Sequence, residues 1–295
     1  MVALLIYIVG VFAIGAFAAY PISVLLEVFG VTGTEFHSVL TRTLKLLAIF
    51  GLFPVLMYLR ANDRRCWGFG VTRFRFLRHV LLGLVIGILS LGFVAATLLL
   101  QGVRINNEAA TFSAVQVIWL VVRVSLVGLV IGFVEEVWFR GALYSAVQRA
   151  FGVLGAISLT AALYSTVHFL KGDASMDPSQ PDWFSGVSVL AATFAELASA
   201  DNIDSALALF VGGLALGLAR YSGGSIAVCI GIHAGWVIVI KLTKAGTRLD
   251  HHSDWAWMSG SYDGFIGYLG AAWLLLLVIA YYWCYVRHRE NTGRH

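Results

Sequence analysis

Long apolar runs separated by short polar stretches dominate the chain. Roughly 20 consecutive apolar residues cross a bilayer as a helix. Runs of about that length lie near 2–27, 38–59, 77–100, 115–148, 151–170, 205–220, 223–243 and 264–286. The pattern predicts an all-α integral membrane protein, a bundle of about eight transmembrane helices. The stretch "FSGVSVLAATFAELASADN" (184–202) reads as a non-spanning or re-entrant piece, because counting it would break the alternation of sides. No linker rich in Pro, Gly or Ser and no internal repeat divides the chain, so residues 1–295 read as a single transmembrane domain. The first run lacks a basic leading segment and an A-x-A-like end, which makes it a retained span and not a cleaved signal.

Composition sharpens this picture. Hydrophobic residues make up 59% of the chain and charged residues 12%, with a mean hydropathy of +0.84, well outside the soluble range. The 31 glycines suit helices that pack closely in lipid. The net charge of +4 is no nucleic-acid signal, because the basic residues gather at the ends of apolar runs. Arg60, Arg64, Arg65, Arg73, Arg75 and Arg78 crowd one short loop, and Arg287 and Arg289 follow the last run. By the positive-inside rule both regions face the cytoplasm, which puts both termini there and the acidic loop 171–183 outside. Cys66, Cys229 and Cys284 form no C-x-x-C pair and imply neither a disulfide nor a zinc–thiolate site.

Chemistry is sought among polar residues inside the spans. "GFVEEVWFRG" (132–141) places Glu135, Glu136 and Arg140 at the end of a run apolar enough for lipid. Each carboxylate at a bilayer centre costs roughly 2.5–3.5 kcal/mol on insertion scales. His168 closes "LTAALYSTVHFL", and His233 lies within "SIAVCIGIHAGWVIVIK". At about 1.5 Å per residue, Glu135 lies roughly 21 Å in from Arg149, His168 about 25 Å in from Phe151, and His233 roughly 15–20 Å in from the start of its run. Three residues on three helices thus share one slab near the bilayer midplane. Glu136 and Arg140 are four apart on one helix face and can form an intrahelical ion pair. Glu135 is rotated about 100° from that face and is the freer carboxylate, able to turn toward His168 and His233.

Two chemistries follow from these residue types. Two histidines and a carboxylate (Glu135, His168, His233) form a familiar zinc or other divalent-metal set that leaves a position for water. Alternatively no metal is needed: Glu135 takes a proton from water, and the histidines position it and stabilise the oxyanion. Both add water to a carbonyl. No P-loop, dinucleotide glycine motif or Ser-His-Asp arrangement competes. Buried Glu and His also serve as proton relays in transporters, although no repeat or broken helix of the transporter kind is evident.

At these residues the chain resembles a known family. "EEVWFR" matches the Glu-Glu-x-x-x-Arg motif of the CPBP intramembrane proteases, which include the type II CAAX prenyl endopeptidases and the bacterial Abi proteins. "YSTVH" (164–168) resembles their Phe-x-x-x-His motif with Tyr164 in place of phenylalanine. "HAGWV" (233–237) stands where a His-x-x-x-Asn/Asp motif is expected, with Val237 at its last position. The resemblance spans about residues 68–240 and implies a core of eight helices. It also implies Glu135 as the water activator, Glu136 and Arg140 as its supports, and His168 and His233 completing the centre. The partners it implies are a membrane-associated peptide or protein substrate and the bilayer. The absence of targeting signals and the compact eight-span layout point to a bacterial inner membrane. It assigns no oligomeric state. The Val237 departure leaves open an inactive, immunity-type membrane partner. "RLDHHSDWAW" (248–257) reads as a polar loop, and Trp183, Trp255, Trp257, Tyr262 and Tyr268 as an interface belt.

Overall fold

Eight apolar runs have to become helices that satisfy their own backbone groups, since lipid offers no hydrogen bonds. A computed structural model of the chain describes residues 2–286 apart from 32, 62, 109, 170–176, 198, 200, 201 and 261. The basic pair Arg287 and Arg289 and part of the acidic loop therefore lie outside the described residues. The helices are α1 (Val2–Val28), α2 (Phe36–Tyr58), α3 (Arg73–Leu100), α4 (Ala114–Glu136), α5 (Tyr144–Phe169), α6 (Ser185–Leu197), α7 (Ile203–Gly223), α8 (Ala227–Gly246) and α9 (Tyr268–Tyr281). A π-helical segment, Val137–Leu143, joins α4 to α5.

Among the described residues six stretches are long and apolar enough to cross a membrane, one of them the 56-residue continuum Ala114–Phe169. That continuum breaks at Gly152, whose φ of 75° and ψ of −174° no helix contains. It therefore makes two crossings, where the sequence pattern puts them. With the shorter apolar helix Tyr268–Cys284 the eight expected segments are accounted for. The 13 residues of α6 are too few to span, as the alternation argument requires.

Local chemistry sets several helix ends. Ser113 caps α4 through a capping box: Ser113 Oγ accepts from Gln116 N, and Gln116 Oε1 accepts from Ser113 N. Gly224 closes α7 in the left-handed region, at φ 63°, with its N–H donating to the Arg220 carbonyl. Two three-residue strands, β1 (Arg104–Asn106) and β2 (Thr247–Leu249), pair antiparallel and tie the end of α3 to the end of α8. They are too short to stand out from sequence.

Helix α8 is the central post. Against α3 the backbones nearly touch. A Cβ at Gly83 would lie 2.2 Å from the Val228 carbonyl oxygen, and one at Gly231 2.1 Å from that of Val80. On the α4 side a Cβ at Gly132 would stand 2.9 Å from the Ile230 carbonyl oxygen. Between α5 and α7, Gly213 abuts Ala161 Cα at 2.7 Å in the same sense. Small residues let helices approach this closely where lipid removes the ordinary hydrophobic drive for association. Helices α1, α2 and α6 form a side group with a cluster of its own around Ala16, Leu40, Leu44 and Leu190.

The closeness of α3 and α8 makes a direct prediction. Gly231→Ala is expected to destabilise the protein by about 1–3 kcal/mol through overpacking, read as a lower thermal midpoint in detergent. Gly92→Ala, where an added Cβ meets nothing within 4 Å, should leave the midpoint nearly unchanged. Equal effects at both positions would contradict the packing described.

Candidate functional site

The end of α4, the π-helical segment, α5 and α8 converge on one buried polar cluster. A π-segment carries an i→i+5 bulge, a feature often found at functional sites. Here it begins directly after Glu136 and carries Arg140. Glu136 and Arg140 are both fully buried, and Arg140 Nη1 donates to Glu136 Oε1 at 3.1 Å. Arg140 Nη2 also donates to the Gly213 carbonyl at 3.3 Å. The guanidinium lies 4.7 Å from the centre of the Tyr164 ring and 5.5 Å from that of Phe139. Three kinds of support thus offset the cost of burying the charge.

His233 joins the two carboxylates. Its Nδ1 lies 2.8 Å from Glu136 Oε1, and its Nε2 lies 3.8 Å from Glu135 Oε2. The ring thus presents one nitrogen to the buried ion pair and the other to Glu135. The sequence alone pairs Glu136 with Arg140. The close approach of α8 to α4 at Gly132 adds His233 to that pair, so one carboxylate oxygen serves both. Glu135 Oε2 is buried and makes no hydrogen bond in the described structure, although its side chain as a whole is about a third exposed.

Two cavities meet at this cluster. The larger, about 350 Å³, runs between the α1–α2 pair and the wall of α4 and α5, and is lined in part by Glu135, Trp138 and His168. The smaller, about 120 Å³, is lined by Tyr164, His168, His233, Trp236 and Val237 among others. His168 borders both. Its Nδ1 lies 2.8 Å from the Tyr164 carbonyl one turn earlier, and Tyr262 Oη donates to the His168 carbonyl at 2.9 Å. The Tyr164 ring neighbours both imidazoles, at 4.4 Å from His168 and 6.0 Å from His233 between centroids. Trp236 Nε1 is committed to Ser90 Oγ at 3.0 Å.

All five sequence candidates therefore lie around one centre, with Glu135, Glu136, Arg140 and His233 in a contiguous chain and His168 beyond Tyr164. The metal set is a different matter. Among the described residues no three His, Cys, Asp or Glu side chains are grouped to hold an ion, so Glu135, His168 and His233 as placed do not fit a zinc centre. His168 turns its Nδ1 to its own helix, beside the tyrosine ring. The Asp250–Asp254 loop is a turn, with Asp250 Oδ1 accepting from His252 N at 3.0 Å.

One supporting residue escapes sequence reasoning. Arg220 is only 8% exposed. Its Nε donates to the Arg140 carbonyl at 3.0 Å and its Nη2 to the Cys66 carbonyl at 2.9 Å. It ties the π-segment to the 61–70 loop. In the sequence it reads as an ordinary cation marking a span end, and no spacing sets it apart.

Residues 117–239 match the family of type II CAAX prenyl endopeptidases described as Rce1-like. The matched segment runs from α4 into α8 and contains every candidate site residue. It begins later than the 68–240 expected from the motifs, leaving α1, α2 and α3 outside. No curated protein and no solved structure matches the chain.

The shared carboxylate sets an expectation for stability. Arg140→Met leaves Glu136 buried beside His233 without its cation and should cost about 3–5 kcal/mol, measured by unfolding in detergent. Adding Glu136→Gln should recover a large part of that loss. A double variant no more stable than Arg140→Met would mean that the arginine acts through packing alone.

Proposed function

We propose, proceeding from the Rce1-like match over α4–α8, that the protein is an intramembrane endopeptidase. It cleaves a peptide bond in a membrane-associated substrate, with Glu135 activating the water. The observation that carries this reading is His233 held by Glu136 with its other nitrogen turned to Glu135. Glu135 takes a proton from the attacking water as its oxygen adds to the substrate carbonyl, and returns that proton to the leaving amine nitrogen as the C–N bond breaks. Glu136 and Arg140 fix the His233 ring so that its Nε2 orients the same water. His168 and the Tyr164 hydroxyl, both bordering the smaller cavity, are the groups available to donate to the oxyanion. The reaction is read without a metal because the donor set as placed does not fit one. The protein sits in a bacterial inner membrane with both termini cytoplasmic.

One observation supports a second reading, a non-catalytic membrane partner. Val237 presents an apolar side chain to the smaller cavity where the family motif carries Asn or Asp. Tyr164 lines the same cavity and supplies a hydroxyl that the phenylalanine of that motif lacks, which favours the enzyme.

Purified protein in lipid nanodiscs, given a mixture of quenched apolar peptides, tests the proposal. Wild type should release fluorescence, and Glu135→Gln should lower the rate by about 10²–10⁴-fold with its thermal midpoint intact. Chelators should leave the rate unchanged. Tyr164→Phe should lower kcat by about 10²-fold or more if its hydroxyl serves the oxyanion. A Glu135→Gln protein as active as wild type would remove the glutamate mechanism.

A further inference from the structure

The loop between α2 and α3 is folded against the site, not slack. Trp67 Nε1 donates to the Ala61 carbonyl at 3.0 Å, and the Phe69 and Phe76 rings stack 5.7 Å apart. The Gly68 carbonyl accepts from Ile226 N, and the Cys66 carbonyl accepts from Arg220 Nη2 and Ser145 Oγ. The π-segment rests directly on this loop, since a Cβ at Gly141 would stand 3.1 Å from the Trp67 carbonyl oxygen. Along the exposed rim of the loop and the first turns of α3 lie Arg64, Arg65, Arg73, Arg75 and Arg78. None of them is in an ion pair among the described residues. The nearby acid Asp63 is occupied by the Cys66 N–H and thiol. Beside the arginines, Phe74 is 80% and Leu77 63% exposed. Thr72 makes no side-chain cap on α3 and no acid stands in its first turn, so the helix start also favours an anion. Sidedness needs only basic residues near span ends. It does not need them mounted on a loop tied to a buried ion pair.

We propose that this rim binds the phosphate of an anionic phospholipid headgroup, and that the bound lipid steadies the loop and raises the peptidase rate. Unpaired guanidiniums crowded on one edge fit phosphate, which each can hold through two N–H donors. The exposed Phe74 and Leu77 favour a lipid as its source. They suit the border between headgroups and acyl chains, whereas free phosphate or an acidic soluble protein would leave them uncovered. The route to the site is short. Arg220 donates both to the Cys66 carbonyl on the loop and to the Arg140 carbonyl in the π-segment, so a steadier loop holds the Glu136–Arg140 pair. The rate effect rests on the protease reading given above, and the lipid site does not.

The test extracts the protein from nanodiscs mixing phosphatidylcholine with phosphatidylglycerol and counts the retained lipids by native mass spectrometry. Wild type should retain phosphatidylglycerol over phosphatidylcholine by about tenfold or more. Arg64→Gln/Arg65→Gln/Arg75→Gln should bring that preference close to one, with its thermal midpoint in pure phosphatidylcholine unchanged. The same three positions changed to lysine should keep much of it, and Arg248→Gln, at the opposite end of α8, should keep all of it. A preference intact in the triple glutamine variant, or lost equally in Arg248→Gln, overturns the site. So does a rise in midpoint from inorganic phosphate or polyglutamate as large as that from phosphatidylglycerol, which would assign the rim to a soluble anion. Cleavage of a quenched apolar peptide should be several-fold faster with phosphatidylglycerol for wild type and indifferent to it for the triple glutamine variant. An equal response in both overturns the coupling. Retention and midpoint decide the lipid site even where no peptide is cut, so a failure of the protease reading shows separately.

Discussion

A glutamate and an arginine fully buried among membrane helices constrain everything around them. Neither charge can be left alone in that setting, because an uncompensated buried ion costs more than most single contacts return. Glu136 is accordingly held by Arg140 and by His233 at one carboxylate oxygen. Arg140 is held in turn by the Gly213 carbonyl and the faces of Tyr164 and Phe139. The π-segment, the glycine contacts of α8 and the span of Arg220 from the Arg140 carbonyl to the 61–70 loop all keep this pair in place.

The same constraint leaves Glu135 beside a fixed imidazole without sharing the arginine. Adjacent carboxylates in one helix point about 100° apart, so only Glu136 pairs with Arg140. Glu136 goes inward to the ion pair, and Glu135 borders the larger cavity. Structural and chemical roles are thus divided between neighbours by helix geometry. His233 couples the two, so the immobility of the ion pair passes to the imidazole next to Glu135.

Much of the architecture is legible in the chain because lipid leaves so few alternatives. Apolar run length marks the spans, and the break between residues 148 and 151 shows in the pattern and recurs in the structure at Gly152. The i, i+4 pair of Glu136 and Arg140 is readable from spacing alone. The partner of His233 is not, since it depends on how closely α8 approaches α4 at Gly132. Depth along each helix puts His168 in the right slab but does not fix how close it comes to Glu135 and His233; among the described residues no three metal-type side chains are grouped to hold an ion. Arg220 and Lys45 look alike as isolated cations in sequence. Only the packing shows that one is buried against carbonyls and the other lines a cavity.

The central claim is that Glu135 makes this membrane protein a peptidase. The most direct measurement compares peptide termini in membranes expressing the wild-type chain or Glu135→Gln at equal levels. New termini confined to the wild type are the predicted result. Identical sets of termini, with both proteins folded and abundant, would contradict it and favour the binding partner.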